Sequence, residues 1–263
     1  MDARVLTDPS GSAPNEDAAG VLGEVAVVVD GAGIPERFRA GCRHSVAWYS
    51  HHLASALLLH AQDAADLREA LAAAIGTVAS RHASTCDLEA GSPSATVTAV
   101  RIRPDHLEHL VLCDCSLLLR RRDGSVERCT DDRVDRIQPA EPTAEAVEAL
   151  RNAPGGFWVA RHEVEAAEQA LVGTAPLDQI DRVHLMSDGI TRTIDLLGTH
   201  DAAELEAALA ADPRRLLHDL RSAEAALEAA RRPRKMHDDA SVISIVLPPH
   251  APASAQRSAL YGQ

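Results

Sequence analysis

Aromatic residues are scarce in this chain. Phe, Trp and Tyr make up 2 % of its 263 residues, whereas hydrophobic residues as a whole make up 46 %. A chain of this length and apolar content can bury a sizeable core. That core must therefore be built from Ala, Val, Leu and Ile. No linker rich in Pro, Gly and Ser divides the chain and no internal repeat is visible, so we expect one folded domain.

Long apolar runs are lacking too, and positive charge is in the minority. No run approaches the roughly 20 residues that a membrane-spanning helix needs, and the first residues contain no apolar signal core. Lys and Arg number 26 against 39 Asp and Glu, which gives a formal net charge of −13. A surface of this sign repels nucleic-acid backbones and anionic lipid. We therefore expect a cytoplasmic protein that binds neither nucleic acid nor membranes.

Cysteine is also rare, and its spacing is not that of a disulfide framework. The five cysteines form no C-x-x-C pair, and an odd number favours reduced thiols in a reducing compartment. Cys113 and Cys115 alternate along a predicted strand. We expect them on opposite faces of the sheet, which argues against a shared metal, and we interpret them as small buried residues.

Apolar periodicity predicts a mixture of helices and strands. A buried strand at 24–29 is followed by helices at about 36–60 and 64–84, and then by an antiparallel meander over 94–130 with a turn at Asp123-Gly124. Further along, we predict a helix at 143–152, a strand that ends at Asp188, one or two helices over 201–231 broken near Asp212-Pro213, and a strand at 240–247. The number of strands favours an α+β sandwich with helices packed outside stacked sheets.

The two ends of the chain differ in composition from the rest. Residues 1–14 and 248–263 are rich in Gly, Ser, Pro, Ala and polar residues, and we predict that both segments are mobile. The folded domain is then expected to cover residues 15–247.

Acidic residues stand at the ends of several predicted strands. Asp30 ends the run VAVVVD, Asp188 ends RVHLMSD, Asp114 ends HLVLCD, and Asp238 and Asp239 precede the last strand. One Asp-Gly pair alone would indicate no more than a turn. Carboxylates that converge in a partly desolvated site repel one another and need cations, and oxygen ligands without His or Cys favour Mg²⁺ or Mn²⁺. Two such ions can activate a water for attack on phosphorus.

Six motifs in order resemble the type 2C, or PPM, metal-dependent protein phosphatases. They are NEDAAG (15–20), VVVDGAG (27–33), GSPSATVTAV (91–100), LVLCDCSLLLRRRDGSVERCTDD (110–132), VHLMSDGIT (183–191) and HDDASVISIVL (237–247). Each motif is weak singly, but together they span residues 12–247 in a sensible order. The resemblance implies a four-layer αββα fold, an antiparallel β-sandwich flanked by helix pairs. It also implies a phosphoric monoester hydrolase that uses Mn²⁺ or Mg²⁺.

The resemblance further implies roles for the acidic residues. Asp30 would bridge two metal ions, and the implied ligand set is Glu16, Asp30, the carbonyl of Gly31, Asp188, Asp238 and, at a third and weaker site, Asp114. Asp17 would orient the attacking water without binding a metal itself. The nucleophile would be a water activated by the metals, so that no residue becomes phosphorylated.

The residues that would bind phosphate depart from the family pattern. Ser12 stands where relatives often carry a phosphate-clamping arginine, and Ala32 stands where some carry a histidine. Cys115 replaces the serine of the GDS motif, and Asp239 stands where asparagine is common. The basic residues after Asp30 are candidate phosphate contacts, with a solvated helix face as the alternative interpretation; they are Arg37, Arg39, Arg43 and His44.

Three functions are compatible with these features. The first is a phosphatase of phosphoserine or phosphothreonine proteins, and the second is a phosphatase of a small phosphorylated metabolite. The third is a non-catalytic module of the same fold that recognises a phosphorylated partner or regulates a Ser/Thr kinase. The carboxylates argue against the third, since a pure binder has no need to hold repelling acids together. Nothing in the sequence separates the first two.

Overall fold

Two antiparallel β-sheets pack face to face in the computed structural model, which describes residues 1–11, 14–32, 35–137, 143–233 and 235–248. One sheet has the strand order β2-β3-β4-β5-β8. Its strands are β2 (Ala18–Leu22), β3 (Val25–Gly31), β4 (Ala95–Ile102), β5 (His106–Leu112) and β8 (Leu171–Pro176). The other has the order β1-β10-β9-β6-β7. Its strands are β1 (Asp2–Asp8), β10 (Ala240–Val246), β9 (Ile180–Met186), β6 (Ser116–Arg121) and β7 (Val126–Thr130).

Helices cover the outer face of each sheet. Helices α1 (Val46–His60) and α2 (Leu67–Ala83) pack on the first sheet, and α5 (Asp188–Asp195), α6 (Ala202–Ala211) and α7 (Pro213–Ala225) pack on the second. Two short helices, α3 (Arg133–Ile137) and α4 (Ala144–Ala149), lie between β7 and β8 in the chain. The predicted α+β sandwich flanked by helix pairs is confirmed. No helix in the described ranges is long and apolar enough to span a membrane.

Strand β3 shows why the apolar run before Asp30 is unbroken. Ala26 and Val28 face the second sheet, whereas Val25, Val27 and Val29 face α1 and α2. A strand covered on both faces reads as a continuous apolar run rather than an alternating one. Because the strand leaves the core at its last residues, a carboxylate can follow the apolar run directly.

The N-terminal segment does not behave as predicted. Residues 2–8 were expected within a mobile segment, but they form β1 and pair with β10 along their whole length, from Asp2 opposite Val246 to Asp8 opposite Ala240. As an edge strand, β1 is held mainly by backbone hydrogen bonds and needs few apolar side chains. Because the sequence of β1 is mostly polar, apolar periodicity does not predict this strand. In the predicted mobile C-terminal segment, residues 249–263 lie outside the described residues.

The predicted meander over 94–130 is divided between the two sheets. β4 pairs with β5 in the first sheet, whereas β6 pairs with β7 and β9 in the second. The chain crosses from one sheet to the other at residues 113–115, where Cys113 adopts a positive φ of 64°. Cys113 and Cys115 therefore flank a turn rather than alternating along a strand, and the prediction was wrong on this point.

Helix boundaries follow the capping residues. The predicted helix at 36–60 begins only at Val46, where Ser45 accepts the backbone N–H of Trp48 at 3.0 Å. Asp66 caps α2 in the same way. The predicted break near residue 212 is confirmed, since Asp212 caps α7 and Pro213 is its first residue.

Candidate active site

The ends of β3 and β9 meet at one edge of the sandwich. Asp30 is the next-to-last residue of β3, and Asp188 is the first residue of α5, two positions after β9 ends. The backbone N–H of Asp188 points to Oδ2 of Asp30 at 3.4 Å. Two strands from different sheets thus place two of the predicted ligands side by side.

Glu16 reaches the same place because Gly31 has no side chain. A Cβ built on Gly31 would lie 2.8 Å from the carbonyl oxygen of Glu16 and 2.4 Å from Cγ1 of Val46. The segment that carries Glu16 and the first turn of α1 therefore pack directly on the end of β3. Any larger residue at position 31 would push them away.

An acidic cleft forms around these residues. Its walls include Asp30, Gly31, Asp114, Asp188 and Asp238. Asp114 comes from the turn between β5 and β6, and Asp238 from the segment before β10. Five of the six predicted metal ligands thus line one cleft. The sixth, Glu16, forms an ion pair with Lys235, which lines the same cleft.

The carboxylates of the acidic cleft repel one another. Burial, together with the charges of Asp17 and Asp188 and then of Asp114 and Asp238, holds the pKa of Asp30 well above its usual range. Burial and the charge of Asp188 raise the pKa of Asp114 to about 7. Burial and the charge of Asp238 likewise raise the pKa of Asp188. Ionising these groups together costs free energy, which bound cations would offset.

The donor atoms in and beside the acidic cleft fit hard divalent cations. Oδ1 of Asp114 and Oδ1 of Asp17 are buried and have no hydrogen-bond partner within the described part of the chain. Buried oxygens without partners are uncommon, since each costs its full desolvation. Carboxylate and carbonyl oxygens are the ligands that Mg²⁺ and Mn²⁺ prefer.

Lys235 lies between two of the predicted ligands. Its Nζ donates to Oε2 of Glu16 at 3.2 Å and to Oδ1 of Asp238 at 3.1 Å. It is the single lysine of the chain. Burial lowers the pKa of Lys235, but the charges of Asp238 and Glu16 and their hydrogen bonds outweigh it and raise that pKa, so the ammonium stays charged. One cation therefore joins two of the carboxylates that the family resemblance implies as metal ligands.

Asp17 lies behind the acidic cleft and does not line it. Its Oδ2 accepts the hydroxyl of Ser187 at 2.8 Å, and Ser187 Oγ in turn accepts the backbone N–H of Ser241 at 2.9 Å. Burial raises the pKa of Asp17 to about 7, although the serine hydrogen bonds oppose this. The serines leave Oδ1 of Asp17 as an acceptor beside the predicted ligands.

Two further arginines line the acidic cleft, and the sequence analysis did not identify them. Arg192, one turn into α5, donates to Asp238 at 2.8 Å and to the fully buried Glu224 at 2.8 Å. Arg151 donates to Glu148 at 2.8 Å and lies over the ring of Phe157. Arginines are numerous in this chain, so only the fold distinguishes these two from the rest.

The predicted phosphate contacts lie elsewhere. Arg37 pairs with Glu145 at the surface, Arg43 is exposed, and neither they nor Arg39 and His44 line the acidic cleft. The segment over 36–45 folds back toward the end of α2 instead of along the cleft. Burial, with the charges of Arg43 and His52, lowers the pKa of His44, which disfavours the charged ring that would attract a phosphate. Ser12 lies outside the described residues.

Comparison with known proteins identifies the family. A family model described as protein phosphatase 2C matches residues 10–232. The chain belongs to the protein phosphatase 2C family. This membership makes it a metal-dependent phosphatase. The match ends before Asp238, which the fold nevertheless brings to the acidic cleft of the phosphatase.

Solved structures similar to this phosphatase share its fold at low sequence identity. A bacterial serine phosphatase aligns with a TM-score of 0.63 and 16 % identity, over 95 % of this chain and 99 % of that one. The Mycobacterium tuberculosis serine/threonine phosphatase PstP aligns with a TM-score of 0.60 and 20 % identity, over 93 % and 97 %. The PstP catalytic domain in complex with two manganese ions gives 0.59 and 20 %, over 94 % and 98 %. No protein of curated function matches the sequence significantly.

Proposed function

We propose that this phosphatase uses Mn²⁺ or Mg²⁺ to hydrolyse phosphoserine and phosphothreonine in proteins. The observation that carries the proposal is the convergence of Asp30, Asp114, Asp188 and Asp238 in one cleft, where burial and mutual repulsion raise the pKa values of the first three. A protein gains nothing from such repulsion unless cations or substrate groups are bound there.

The proposed ligands are divided between two cations and a third, weaker one. Asp30 would bridge two cations, with Glu16 and the Gly31 carbonyl on one side and Asp188 and Asp238 on the other. Asp114, beside Asp188, would hold the third. Bound cations of this kind lower the pKa of a water and neutralise charge on a phosphate.

The chain's own groups would orient the reactants. Oδ1 of Asp17 is an acceptor without a partner in the described residues, while Ser187 fixes Oδ2 of the same carboxylate. We propose that Oδ1 accepts a hydrogen bond from the attacking water and so fixes its orientation. An oriented nucleophile contributes to the rate without any change in its chemistry.

Among the described residues, three cationic side chains line the acidic cleft, and they would receive the phosphate in place of the arginine that the family pattern puts at position 12. They are Arg151, Arg192 and Lys235. The guanidinium of Arg192 is already fixed by Glu224, so little side-chain entropy would be lost when it binds a phosphate oxygen. Lys235 would move from Glu16 and Asp238 to the phosphate once divalent cations occupy these carboxylates.

Family membership and the relatives support a phosphoprotein substrate. The family is described as protein phosphatase 2C, and the similar structures are those of serine and serine/threonine phosphatases. The manganese ions of the PstP structure support Mn²⁺ as one of the cations.

A substrate panel tests the proposal. Phosphoserine, phosphothreonine and phosphotyrosine peptides should be compared with phosphorylated sugars, nucleotides and amino acids, each with Mn²⁺, with Mg²⁺ and with EDTA. We expect release of phosphate from the first two peptide classes with either metal and none with EDTA. Preferential hydrolysis of one small metabolite would contradict the proposed protein substrate. Hydrolysis in the presence of EDTA would contradict the metal mechanism.

A further inference from the structure

Two cysteines and two histidines converge outside the acidic cleft, where the ligand atoms are sulfur and nitrogen rather than oxygen. Cys42 and His44 lie on the segment before α1, His82 lies in the last turn of α2, and Cys86 follows that helix. One ligand atom from each lies within 4.8 Å of the ligand atoms of the other three. We call these residues the Cys2His2 cluster.

The interatomic distances match those between ligands of one tetrahedral ion. Sγ of Cys42 lies 3.4 Å from Nδ1 of His44 and 3.3 Å from Nδ1 of His82. Sγ of Cys86 lies 3.4 Å from the same Nδ1 of His44. Sulfur and nitrogen ligands of tetrahedral zinc, at about 2.3 and 2.0 Å from the metal, are roughly 3.5 Å apart.

Hydrogen bonding alone does not account for this geometry. Nδ1 of His44 faces two sulfurs at 3.4 Å, but in either tautomer one ring nitrogen forms only one well-directed hydrogen bond, as acceptor or as donor. A metal ion placed among the four atoms would satisfy them together.

The two rings are fixed in their orientation by packing. His44 stacks on Trp48, with ring centroids 4.0 Å apart and an interplanar angle of 28°. His82 is fully buried and lies 5.3 Å from Trp48 between centroids. Preorganised ligands lose little entropy when they bind a metal.

We propose that Cys42, His44, His82 and Cys86 bind one zinc ion that has a structural role. Two thiolates and two imidazoles in a tetrahedral arrangement select zinc over the hard cations that the acidic cleft prefers. Because the two sites differ in ligand chemistry, zinc should prefer the Cys2His2 cluster, whereas Mn²⁺ and Mg²⁺ should prefer the acidic cleft. The pairs Cys-x-His and His-x3-Cys are far apart in sequence and contain no C-x-x-C motif, so residue spacing alone does not indicate a zinc site.

The zinc would join the segment before α1 to the segment after α2. Gly41 packs so closely on the segment after α2 that a Cβ built on it would lie 1.9 Å from the carbonyl oxygen of Asp87. The backbone N–H of Asp87 donates to the carbonyl of Gly41 at 2.9 Å. The first of these segments leads into α1, whose Val46 contacts the end of β3 at Gly31. The ion would thus fix the start of α1 against the strand that carries Asp30.

Metal analysis of the purified chain tests the proposal. The Asp30→Asn background is expected to weaken metal binding in the acidic cleft, so that zinc in the Cys2His2 cluster can be counted alone. After growth with added zinc and gel filtration, we expect about one zinc per chain in this background and in a matched Cys129→Ser control. Cys42→Ser and Cys86→Ser should each lose most of it.

A second pair of measurements covers the case in which a serine variant fails to fold. Cobalt loaded into the Asp30→Asn protein should give tetrahedral visible bands and a thiolate charge-transfer band. In the zinc-loaded protein, alkylation followed by mass spectrometry should find Cys42 and Cys86 protected until a chelator is added, with Cys129 as the internal reference. A reduced protein that takes up neither zinc nor cobalt, zinc retained in both serine variants, or a Cys42–Cys86 disulfide in place of bound zinc would each overturn the proposal.

Discussion

The carboxylate of Asp239 accepts the backbone N–H of Glu16 at 2.7 Å, and so joins residues 223 positions apart. The other oxygen of Asp239 accepts the backbone N–H of Ser10, also at 2.7 Å. The residue just before β10 therefore holds the segment that carries a proposed metal ligand. Asp239 acts through Glu16 and does not itself line the acidic cleft.

Removing the Asp239 carboxylate is expected to weaken Mn²⁺ binding. Loss of a group that positions a ligand typically costs about 10- to 100-fold in metal affinity. We expect a loss of this size in Asp239→Ala and a smaller one in Asp239→Asn, since an amide offers one acceptor oxygen instead of two. The dissociation constant for Mn²⁺ can be measured by calorimetry. Asp181→Asn, near the start of β9 and outside the acidic cleft, is the matched control. Equal affinities in the wild type and the three variants would contradict the positioning role.

Asp30→Asn is expected to abolish phosphatase activity without unfolding the protein. A neutral amide cannot bridge two cations, and the loss should reach about a hundredfold or more in kcat, roughly 3 kcal/mol. The rate can be measured with p-nitrophenyl phosphate and Mn²⁺. The metal-free variant should melt no lower than the metal-free wild type, because one repelling charge has been removed. A wild-type rate would show that the metal site is elsewhere.

Mn²⁺ is expected to raise the melting temperature. A ligand that binds only the folded state stabilises it by about 2.7 kcal/mol at a hundred times its dissociation constant. Scanning calorimetry over a Mn²⁺ titration should show a rise in Tm in the wild type and a much smaller one in Asp30→Asn. The prediction fails if the wild type melts at the same temperature at all concentrations and retains no manganese after dialysis.

The metal-free protein should respond to pH through the buried carboxylates. The pKa of Asp114 is raised from 3.8 to about 7 in the folded state, so its contribution to stability is fully present below pH 3.8 and is lost as pH rises through 7. Asp114→Asn removes this loss. With EDTA present, its stability relative to wild type should increase by about 1 to 2 kcal/mol between pH 5.5 and 7.5.

Urea unfolding of both proteins at the two pH values measures this difference. Taking the variant against the wild type cancels the titration of the buried histidines, which lies in the same pH range. A difference in stability that does not change with pH would mean that Asp114 is not the buried, repelled carboxylate that the geometry indicates.

Lys235→Met is expected to lower the dissociation constant for Mn²⁺ and to raise KM. Removing an ammonium that pairs with Glu16 and Asp238 removes a competitor for Mn²⁺, so the dissociation constant for Mn²⁺ should fall several-fold. The same change removes a proposed phosphate contact, so KM should rise by about tenfold, the effect of one charge-assisted hydrogen bond. Arg37→Met, at the surface, should change neither. An unchanged KM in Lys235→Met would show that Lys235 does not bind the phosphate, which Arg192, Arg151 and the metals would then bind without it.

The sequence by itself determined much of the fold and four of the carboxylates that line the acidic cleft. The apolar run of β3, the Asp212-Pro213 break and the turn at Asp123-Gly124 are local signals, because capping, helix termination and strand burial depend on neighbouring residues. The acidic strand ends gave Asp30, Asp114, Asp188 and Asp238, all of which the structure brings to one cleft.

Tertiary structure decided what depends on distant partners. β1 exists because β10 supplies its hydrogen bonds, and no apolar pattern within Asp2–Asp8 announces it. Arg192 and Lys235 line the acidic cleft, whereas Arg37 and Arg43 do not. The sequence shows that a residue is charged, but the helices and loops of the fold determine where its side chain lies. The Cys2His2 cluster likewise forms only when the end of α2 packs on the segment before α1. Such encounters are set by the packing of whole elements, which residue spacing does not encode.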